Sequence, residues 1–308
     1  MEVLKTALPY IISGISVGGQ YALIAIGYTM VYGILRLINF AHGDVFMVAG
    51  LMMVYFATWM PLYLAIPLMI VLTVLLGFLI EHVAYKPLRT APRMSIMISA
   101  IGVSYLLQNT VLYITGGLNK VYPVIPWISN TVNVFGTSTK VVTLITPVLT
   151  LVLVIALVLL INRTKVGMAM RAVSKDFETS KLMGIKINSV ISVTFIIGSF
   201  LAAIGSILYF TNYTSVIQTS GSMPGLKAFV AAVFGGIGSI PGAVVGAFII
   251  GICENLIKGL DLILLKAGVI KQTLDLTTFS DAFTFALLII ILIVKPTGLF
   301  SEKNTDKV

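Results

Sequence analysis

Apolar runs of about 20 residues, the length that crosses a bilayer as a helix, recur along most of the chain. They occupy eight regions, residues 9–32, 43–60, 62–83, 95–115, 141–161, 190–212, 226–257 and 281–294. Only helices and closed barrels satisfy their backbone polar groups in lipid, and runs this long are typical of helices. The pattern predicts an all-α, polytopic transmembrane helical bundle of about eight spans, in one domain over residues 1–308.

The seventh region departs from this pattern. Residues 226–257 are too long for one crossing, and glycine and proline interrupt them at Gly235-Gly236, Gly238 and Pro241-Gly242. Broken helices at membrane depth are tolerated inside protein or beside a cavity. We therefore predict two segments here, crossing twice or with one re-entrant segment. Glu254-Asn255 is predicted to mark a helix end, and residues 260–276 to form an interfacial helix.

Composition and charge support the same class. The chain is 58% hydrophobic and 10% charged, with a mean hydropathy of +1.06, which excludes an ordinary soluble domain. Its net charge of +9 lies in loops. We place in the cytoplasm the loop at Arg36, residues 86–93, residues 163–186 and the C-terminal end. In this orientation 13 of the 20 basic residues lie on the cytoplasmic side, as the positive-inside rule expects. This predicts a multi-pass protein of the cell (inner) membrane, with membrane lipid and no nucleic acid as partners.

Residues 163–186, which we call the coupling segment, form a polar island between two apolar runs and hold eight charged residues. Val166, Met170, Val173 and Phe177 share one helical face, which predicts a short amphipathic helix. A break before Asp176 predicts a cap for a second helix, which Gly184 would end. From the residues alone, an ordinary packed loop fits as well.

Several polar residues lie in or beside apolar runs, where placing a polar group costs free energy. Gln20, Gln108 and Asn109 are therefore candidates for a substrate path, although hydrogen bonding between helices is the commoner use. The junction Asn39-Phe40-Ala41-His42-Gly43-Asp44 is a further candidate, with helix capping as its structural alternative. The sequence contains no phosphate-binding loop, nucleophile elbow or metal-ligand cluster, so we predict no enzyme activity and no metal site.

Three segments resemble the permeases of the branched-chain amino acid ABC importer family. Residues 19–47, GQYALIAIGYTMVYGILRLINFAHGDVFM, are similar to the first-span signature of the inner-membrane H-type subunit. Residues 164–185 resemble the family's cytoplasmic coupling loop at Gly167, Ala169, Arg171, Ala172, Asp176, Leu182, Gly184 and Ile185. The glycine-rich residues 235–246 resemble the same family.

This resemblance implies a permease that moves branched-chain or similar small amino acids into the cytoplasm by alternating access. It implies no cofactor in this chain, because ATP and Mg would be bound by a partner ATPase. The implied partners are a second homologous permease subunit, two ATPase subunits and an extracytoplasmic solute-binding protein. The residues expected to contact the ATPase are Val166, Gly167, Met170, Arg171, Ala172, Val173, Asp176, Phe177, Leu182 and Gly184. Those expected along the substrate path are Gln20, Asn39, Phe40, His42, Gly43, Asp44, Gln108 and Asn109.

Two alternatives remain open at this point. One is a urea or amide permease of the same family. The other is an ion-coupled secondary transporter, in which Asp44 is the candidate ion site; the scarcity of carboxylates within the spans counts against it. A channel with a filter in residues 235–242 has weaker support.

Overall fold

The chain forms a bundle of helices. A computed structural model describes residues 2–89, 91–134, 137–266, 276–295 and 297–300. The helices are α1 Glu2–Leu35, α2 His42–Trp59, α3 Leu62–Ile80, α4 Arg93–Thr115, α5 Pro126–Ser129, α6 Val141–Arg163, α7 Lys165–Lys175, α8 Phe177–Leu182, α9 Ile187–Asn212, α10 Ser222–Gly235, α11 Ile240–Lys266 and α12 Ser280–Val294.

Seven helical segments are long and apolar enough to cross a membrane: Thr6–Leu35, Leu62–Leu88, Met94–Thr115, Val141–Arg163, Ile187–Asn212, Ile240–Lys266 and Leu276–Val294. The second continues α3 through a π-helical turn, Glu81–Tyr85, and a 3-10 turn, Lys86–Leu88. The last includes a 3-10 turn, Leu276–Phe279, ahead of α12. The prediction of an all-α, multi-pass membrane protein is confirmed, and α2 and α10 are the two apolar helices that fall outside these seven.

Helix α1 lies at the centre of the bundle and packs against α6, α9, α10 and α11. Its residues Ala22 to Ile26 have no exposed surface. Small residues let it approach α11 closely. A Cβ atom added to Gly14 would lie 2.8 Å from the Ile252 Cα atom, and one added to Gly18 would lie 2.7 Å from the Phe248 Cα atom. The contact between α1 and α11 is therefore made backbone to backbone.

The predicted break in residues 226–257 is confirmed. Helix α10 ends at Gly235 and α11 begins at Ile240. Between them Gly236 and Gly238 have φ values of 106° and 101°, which side chains disfavour. The Leu299 and Phe300 N–H groups donate to the Phe234 and Gly235 carbonyls, so residues 298–300 lie against this break.

Two predictions near the end of α11 were wrong. Glu254-Asn255 does not end a helix, because α11 continues to Lys266, and Leu260–Lys266 belong to it rather than to an interfacial helix. The Glu254 carboxylate is tolerated inside the helix because basic side chains and a tyrosine surround it. The remaining part of that predicted helix, residues 267–275, lies outside the described residues, as do Lys303 and Lys307.

The coupling segment has the predicted helix, corner, helix form. The Gly167 N–H donates to the Thr164 hydroxyl at 3.1 Å and caps α7. Asp176 caps α8 by accepting from the Glu178 and Thr179 N–H groups at 2.9 and 3.1 Å. The Thr179 hydroxyl and these N–H groups hold the pKa of Asp176 below its usual value. Gly184, with φ of 82°, follows the end of α8.

The predicted apolar stripe does not lie on a single outer surface. Met170 and Val173 are buried, 4% and 0% exposed, where α7 packs on the chain's own α1, α6 and α9. Gly167 is buried against the backbone of Ile161. Val166 and Phe177 are exposed. The expectation that all four stripe residues and Gly167 face a partner was therefore wrong, because half of this face fills the bundle.

Short strands lie at the opposite end of the bundle from the coupling segment, since α6 runs between the two ends. Strand β1 Lys120–Val121 pairs antiparallel with β4 Ser215–Val216, with Lys120 opposite Val216. Strand β2 Thr131–Val134 pairs antiparallel with β3 Thr137–Lys140, with Thr131 opposite Lys140. The first pair ties the segment after α4 to the segment after α9.

Candidate functional site

Helix α2 begins inside the bundle rather than at its surface. The His42 ring packs against Gly27, eight residues before the end of α1, so α2 starts about 12 Å from that end. In the non-helical connection between the two helices, Leu37, Asn39 and Ala41 are buried. Non-helical backbone at this depth is tolerated because protein surrounds it.

The amino-terminal ends of α2 and α10 meet at this depth. A Cβ atom added to Gly43 would lie 2.7 Å from the Gly221 carbonyl oxygen and 3.2 Å from the Gly225 Cα atom. Glycine at these three positions thus allows the two helix starts to touch. Each amino-terminal end contributes partial positive charge, so the junction favours negative groups. Short helices that meet in this way near mid-membrane are typical of transporter binding sites.

A cavity of about 360 Å³ opens beside this junction, and its size lies within the range of small-molecule sites. Helices α2, α4 and α10 supply most of its wall. Its lining residues are Tyr28, Phe40, Gly43, Asp44, Ile101, Ser104, Tyr105, Gln108, Gly221, Ser222, Gly225, Leu226 and Phe229. The polar lining side chains Asp44, Ser104, Gln108 and Ser222 are connected by hydrogen bonds, while the rest of the wall is mainly apolar or aromatic.

Asp44 lies at the centre of the polar part of the cavity. It is 3% exposed and sits in the first turn of α2. The Ser104 hydroxyl donates to its Oδ2 atom at 2.5 Å, and the Gln108 Nε2 group donates to its Oδ1 atom at 3.0 Å. The Gln108 amide also lies 3.5 Å from the Ser222 hydroxyl. These donors stabilise the ionised carboxylate in a fixed orientation.

The structure divides the predicted path residues into two groups. Phe40, Gly43, Asp44 and Gln108 line the cavity. The other four lie elsewhere in the bundle. Four lining residues were not predicted from the sequence, namely Tyr28, Ser104, Ser222 and Phe229, although Ser104 lies one helical turn before Gln108 and shares its face.

Gln20, Asn39, His42 and Asn109 do not line the cavity in this conformation. The Tyr85 hydroxyl donates to the Asn39 Oδ1 atom at 2.6 Å, and the His42 ring packs edge-on to Tyr28 at 5.2 Å. Gln20 donates to the Leu208 carbonyl at 3.3 Å, which is a bond between helices. Asn109 donates to the Tyr105 carbonyl of its own helix at 2.8 Å and is exposed.

A second cavity, of about 310 Å³, lies between the coupling segment and the buried connection of residues 36–41. It is lined by Leu35, Leu37, Tyr85, Arg89, Ala91, Ile96 and Phe177. Arg89 pairs with Glu81 and bonds to Asn188, so its charge is already neutralised. Phe177 and Tyr85 thus face the same space, one from the coupling segment and one from the π-helical turn.

A set of charged residues lies where α10, α11 and α12 meet α1, with Lys227 and Glu254 buried and Lys258 and Asp281 partly exposed. The Lys227 ammonium lies 2.8 Å from Glu254 and 2.6 Å from Asp281, and Lys258 lies 2.5 Å from Glu254. The Tyr21 hydroxyl also donates to Glu254 at 2.9 Å. We call these five residues the buried charge cluster. This cluster was not predicted from the sequence, although a lysine at position 227 of an apolar run was a visible signal.

The outer face of the coupling segment is rich in exposed apolar side chains. Leu182 is 87% exposed, Met183 78% and Met168 61%, with Val166 and Phe177 less so. We call these five residues the outer apolar surface. Basic residues border it, among them Lys165, Arg171 and Lys181, which are also exposed. Exposed apolar side chains with basic residues beside them are typical of a protein interface.

Comparison with known proteins agrees with this architecture. Residues 10–292 match the model of a family described as the branched-chain amino acid transport system permease component. The chain is 37% identical to the high-affinity branched-chain amino acid transport system permease protein LivH of Escherichia coli K12, covering 98% of this chain and 97% of that protein. It is 36% identical to BraD of Pseudomonas aeruginosa, covering 98% of each chain.

A solved structure of a metal-chelate type ABC transporter in an inward-facing conformation aligns over 92% of this chain and 85% of its own. The TM-score of that alignment is 0.46 and the sequence identity is 17%. The family match covers most of the chain, and so do the two relatives. This chain therefore belongs to the family of branched-chain amino acid transport system permease components.

Proposed function

We propose that this chain is the transmembrane permease subunit of an ATP-driven ABC importer, moving branched-chain or similar small amino acids into the cytoplasm by alternating access. The proposal rests on the cavity where the α2 and α10 amino-terminal ends meet, which joins an apolar wall to a buried carboxylate. Family membership supports it, because the curated relatives are described as branched-chain amino acid permeases.

The proposal is tested by reconstituting the complete importer in proteoliposomes. ATP enclosed on the cytoplasmic side should drive uptake of radiolabelled leucine, and uptake should stop without ATP or without the solute-binding protein. Uptake driven by a sodium or proton gradient in the absence of ATPase would instead establish a secondary transporter. Urea uptake in place of leucine uptake would establish the urea or amide alternative.

One of the two ATPase subunits would dock on the coupling segment of this chain, and the other on the second permease subunit. The ATPase subunits would bind ATP and Mg, for which this chain has no binding motif. The outer apolar surface gives such a partner apolar area to bury, and the surrounding Lys and Arg side chains suit an acidic rim. Of the residues expected at this contact, Val166, Arg171, Asp176, Phe177, Leu182 and Gly184 are exposed. Met183 and Met168 join them as contact residues that the sequence had not indicated.

Tyr85 and Asn39 lie between the coupling segment and the first cavity. Phe177 faces the second cavity together with Tyr85, and the Tyr85 hydroxyl holds Asn39. The next residue, Phe40, lines the first cavity. A displacement of α8 would therefore change the shape of the second cavity, and Tyr85 in its wall is bonded to the buried connection that precedes α2.

A second homologous permease subunit would cover the exposed face of α4. Tyr105, Asn109 and Thr110 are exposed there, within a segment long enough to span the membrane. Polar groups facing lipid cost free energy, so a protein partner is the more favourable neighbour. The first cavity is lined from the same helix, which would place it beside the subunit interface. An extracytoplasmic binding protein would deliver substrate at the end that holds the short strands.

Leu182→Asp tests the docking role. We expect this substitution to weaken ATPase binding by at least about tenfold and to abolish uptake, because it replaces an exposed leucine at the proposed interface by a negative charge. Membrane insertion should be unaffected, since Leu182 lies at the surface. The measurements are co-purification of the ATPase subunits and ATP-dependent leucine uptake.

Leu118→Asp is the matched control. Leu118 is a leucine with 66% exposure, but it lies at the opposite end of the bundle from Leu182. The Leu118→Asp variant should co-purify with the ATPase subunits to the same extent as the wild type. If Leu182→Asp also retained the ATPase, the outer apolar surface would not be the docking site.

A further inference from the structure

The first cavity holds a buried carboxylate that lacks a basic partner. Two other buried carboxylates, Glu81 and Glu254, pair with Arg89 and with Lys227 and Lys258, respectively. Among the residues that the structure describes, no such ion pair reaches Asp44, although it is only 3% exposed. Burying a carboxylate without a counter-charge is unfavourable. A cation arriving from the cavity would relieve that cost.

The neighbours of Asp44 leave room for such a cation. An ionised carboxylate accepts about four hydrogen bonds, and Ser104 and Gln108 fill two of these positions. Both neighbours act as donors, so they favour the anionic form and fix its orientation. Asp44 lines the cavity, so a ligand in the cavity can approach the remaining lone pairs of the carboxylate.

The rest of the cavity wall indicates an organic cation rather than a metal ion. Phe40, Ile101, Leu226 and Phe229 present hydrocarbon surface. Divalent ions prefer several oxygen ligands that include carboxylates, and Asp44 is the only acidic, histidine or cysteine side chain among the residues that line this cavity. An ammonium group attached to an aliphatic side chain satisfies both parts of the wall at once.

We propose that Asp44 binds the ammonium group of the transported amino acid, while the aliphatic side chain packs against Phe40, Ile101, Leu226 and Phe229. This inference rests on the proposed function and names the group that selects its substrate. The substrate carboxylate would lie toward Ser222, whose hydroxyl and Asp44 both lie within 3.5 Å of the Gln108 amide.

Direct binding to the wild-type complex gives the first test. The permease and ATPase complex is placed in nanodiscs without binding protein, and radiolabelled leucine binding is measured. Isoamylamine, which keeps the amine and the side chain, should compete at least about tenfold better than isocaproate, which keeps only the acid and the side chain. Equal competition, stronger competition by the acid, or no leucine binding would overturn the proposal.

Variants give the second test. Asp44→Asn should weaken leucine binding by about 10- to 100-fold and should remove the preference for the amine over the acid. Ser104→Ala should weaken binding to a smaller extent, because one donor that orients Asp44 is lost. Thr115→Val is the matched control, since its hydroxyl lies on the same helix but bonds only to the Val111 carbonyl. It should bind leucine as the wild type does.

The outcomes separate this proposal from the proposed function. Unchanged leucine binding in Asp44→Asn, with the wild-type importer still taking up leucine, overturns only the role of Asp44. Leucine binding that requires sodium, with sodium binding lost in Asp44→Asn, overturns the ammonium assignment in favour of an ion site. If Asp44→Asn does not assemble, the competition experiment on the wild-type complex decides. Failure of the intact importer to move leucine with ATP overturns the proposed function itself.

Discussion

Glu254→Gln should destabilise the folded protein by about 3–5 kcal/mol, the range for removing one partner of a buried ion pair. Glu254 is 1% exposed and accepts from Lys227, Lys258 and Tyr21. An amide in its place leaves the buried Lys227 ammonium with Asp281 alone. Thermal unfolding of the purified protein in detergent, together with its monodisperse fraction, measures the loss.

Two further variants sharpen this prediction. Glu178→Gln is the control, because Glu178 is an exposed glutamate in α8. The double variant Lys227→Met with Glu254→Leu should recover part of the stability, since apolar pairs often replace buried ion pairs without loss. Together with the single variants Lys227→Met and Glu254→Leu, the double variant closes a double-mutant cycle that gives the coupling between the two residues. If Glu254→Gln unfolds at the same temperature as Glu178→Gln, the buried charge cluster does not stabilise the fold.

Gly221→Ala should abolish uptake and destabilise the protein by about 1–3 kcal/mol, as overpacking of a close contact does. The added methyl group would overlap the Gly43 carbonyl oxygen and would lie 2.9 Å from the Met47 Cβ atom, which is closer than van der Waals contact allows. The helix starts would have to separate, and the cavity between them would change shape. Leucine uptake and thermal unfolding are the measurements.

Two more glycines complete a graded series. At Gly225 the added atom would lie 3.0 Å from the Gly43 Cα atom, so Gly225→Ala should show a smaller defect than Gly221→Ala. At Gly33, in α1, it would meet nothing within 4 Å. Gly33→Ala should therefore be neutral or slightly stabilising, as alanine favours helices. Equal defects in all three variants would contradict a steric role for the α2 and α10 junction.

Features set by neighbouring residues could be predicted from the sequence. The corner at Asp176 and the end at Gly184 depend on hydrogen bonds spanning two to five residues, and the caps formed as expected. The break after Gly235 was likewise predicted from glycine and proline. These are local choices of backbone conformation, which a single sequence does determine.

Features that depend on tertiary packing could be predicted only in part. The stripe through Met170 and Val173 indicated an apolar face, but periodicity does not say whether a partner or the chain's own bundle covers it. Asp44 and Gln108 were singled out separately, yet nothing in the sequence showed that α4 brings them within 3.0 Å. Glu254 was assigned to a helix end, and the sequence did not show that Lys227, 27 residues away, lies beside it.

The central position of α1 has a consequence for how the protein is made. Its Gly14 and Gly18 surface is covered by α11, which is synthesised more than 200 residues later. Until then the buried polar side chains of α1, among them Ser16 and Gln20, lack their final surroundings. This part of the bundle can close only after α11 has been synthesised, so α1 has to wait for its main partner while the helices between them are added.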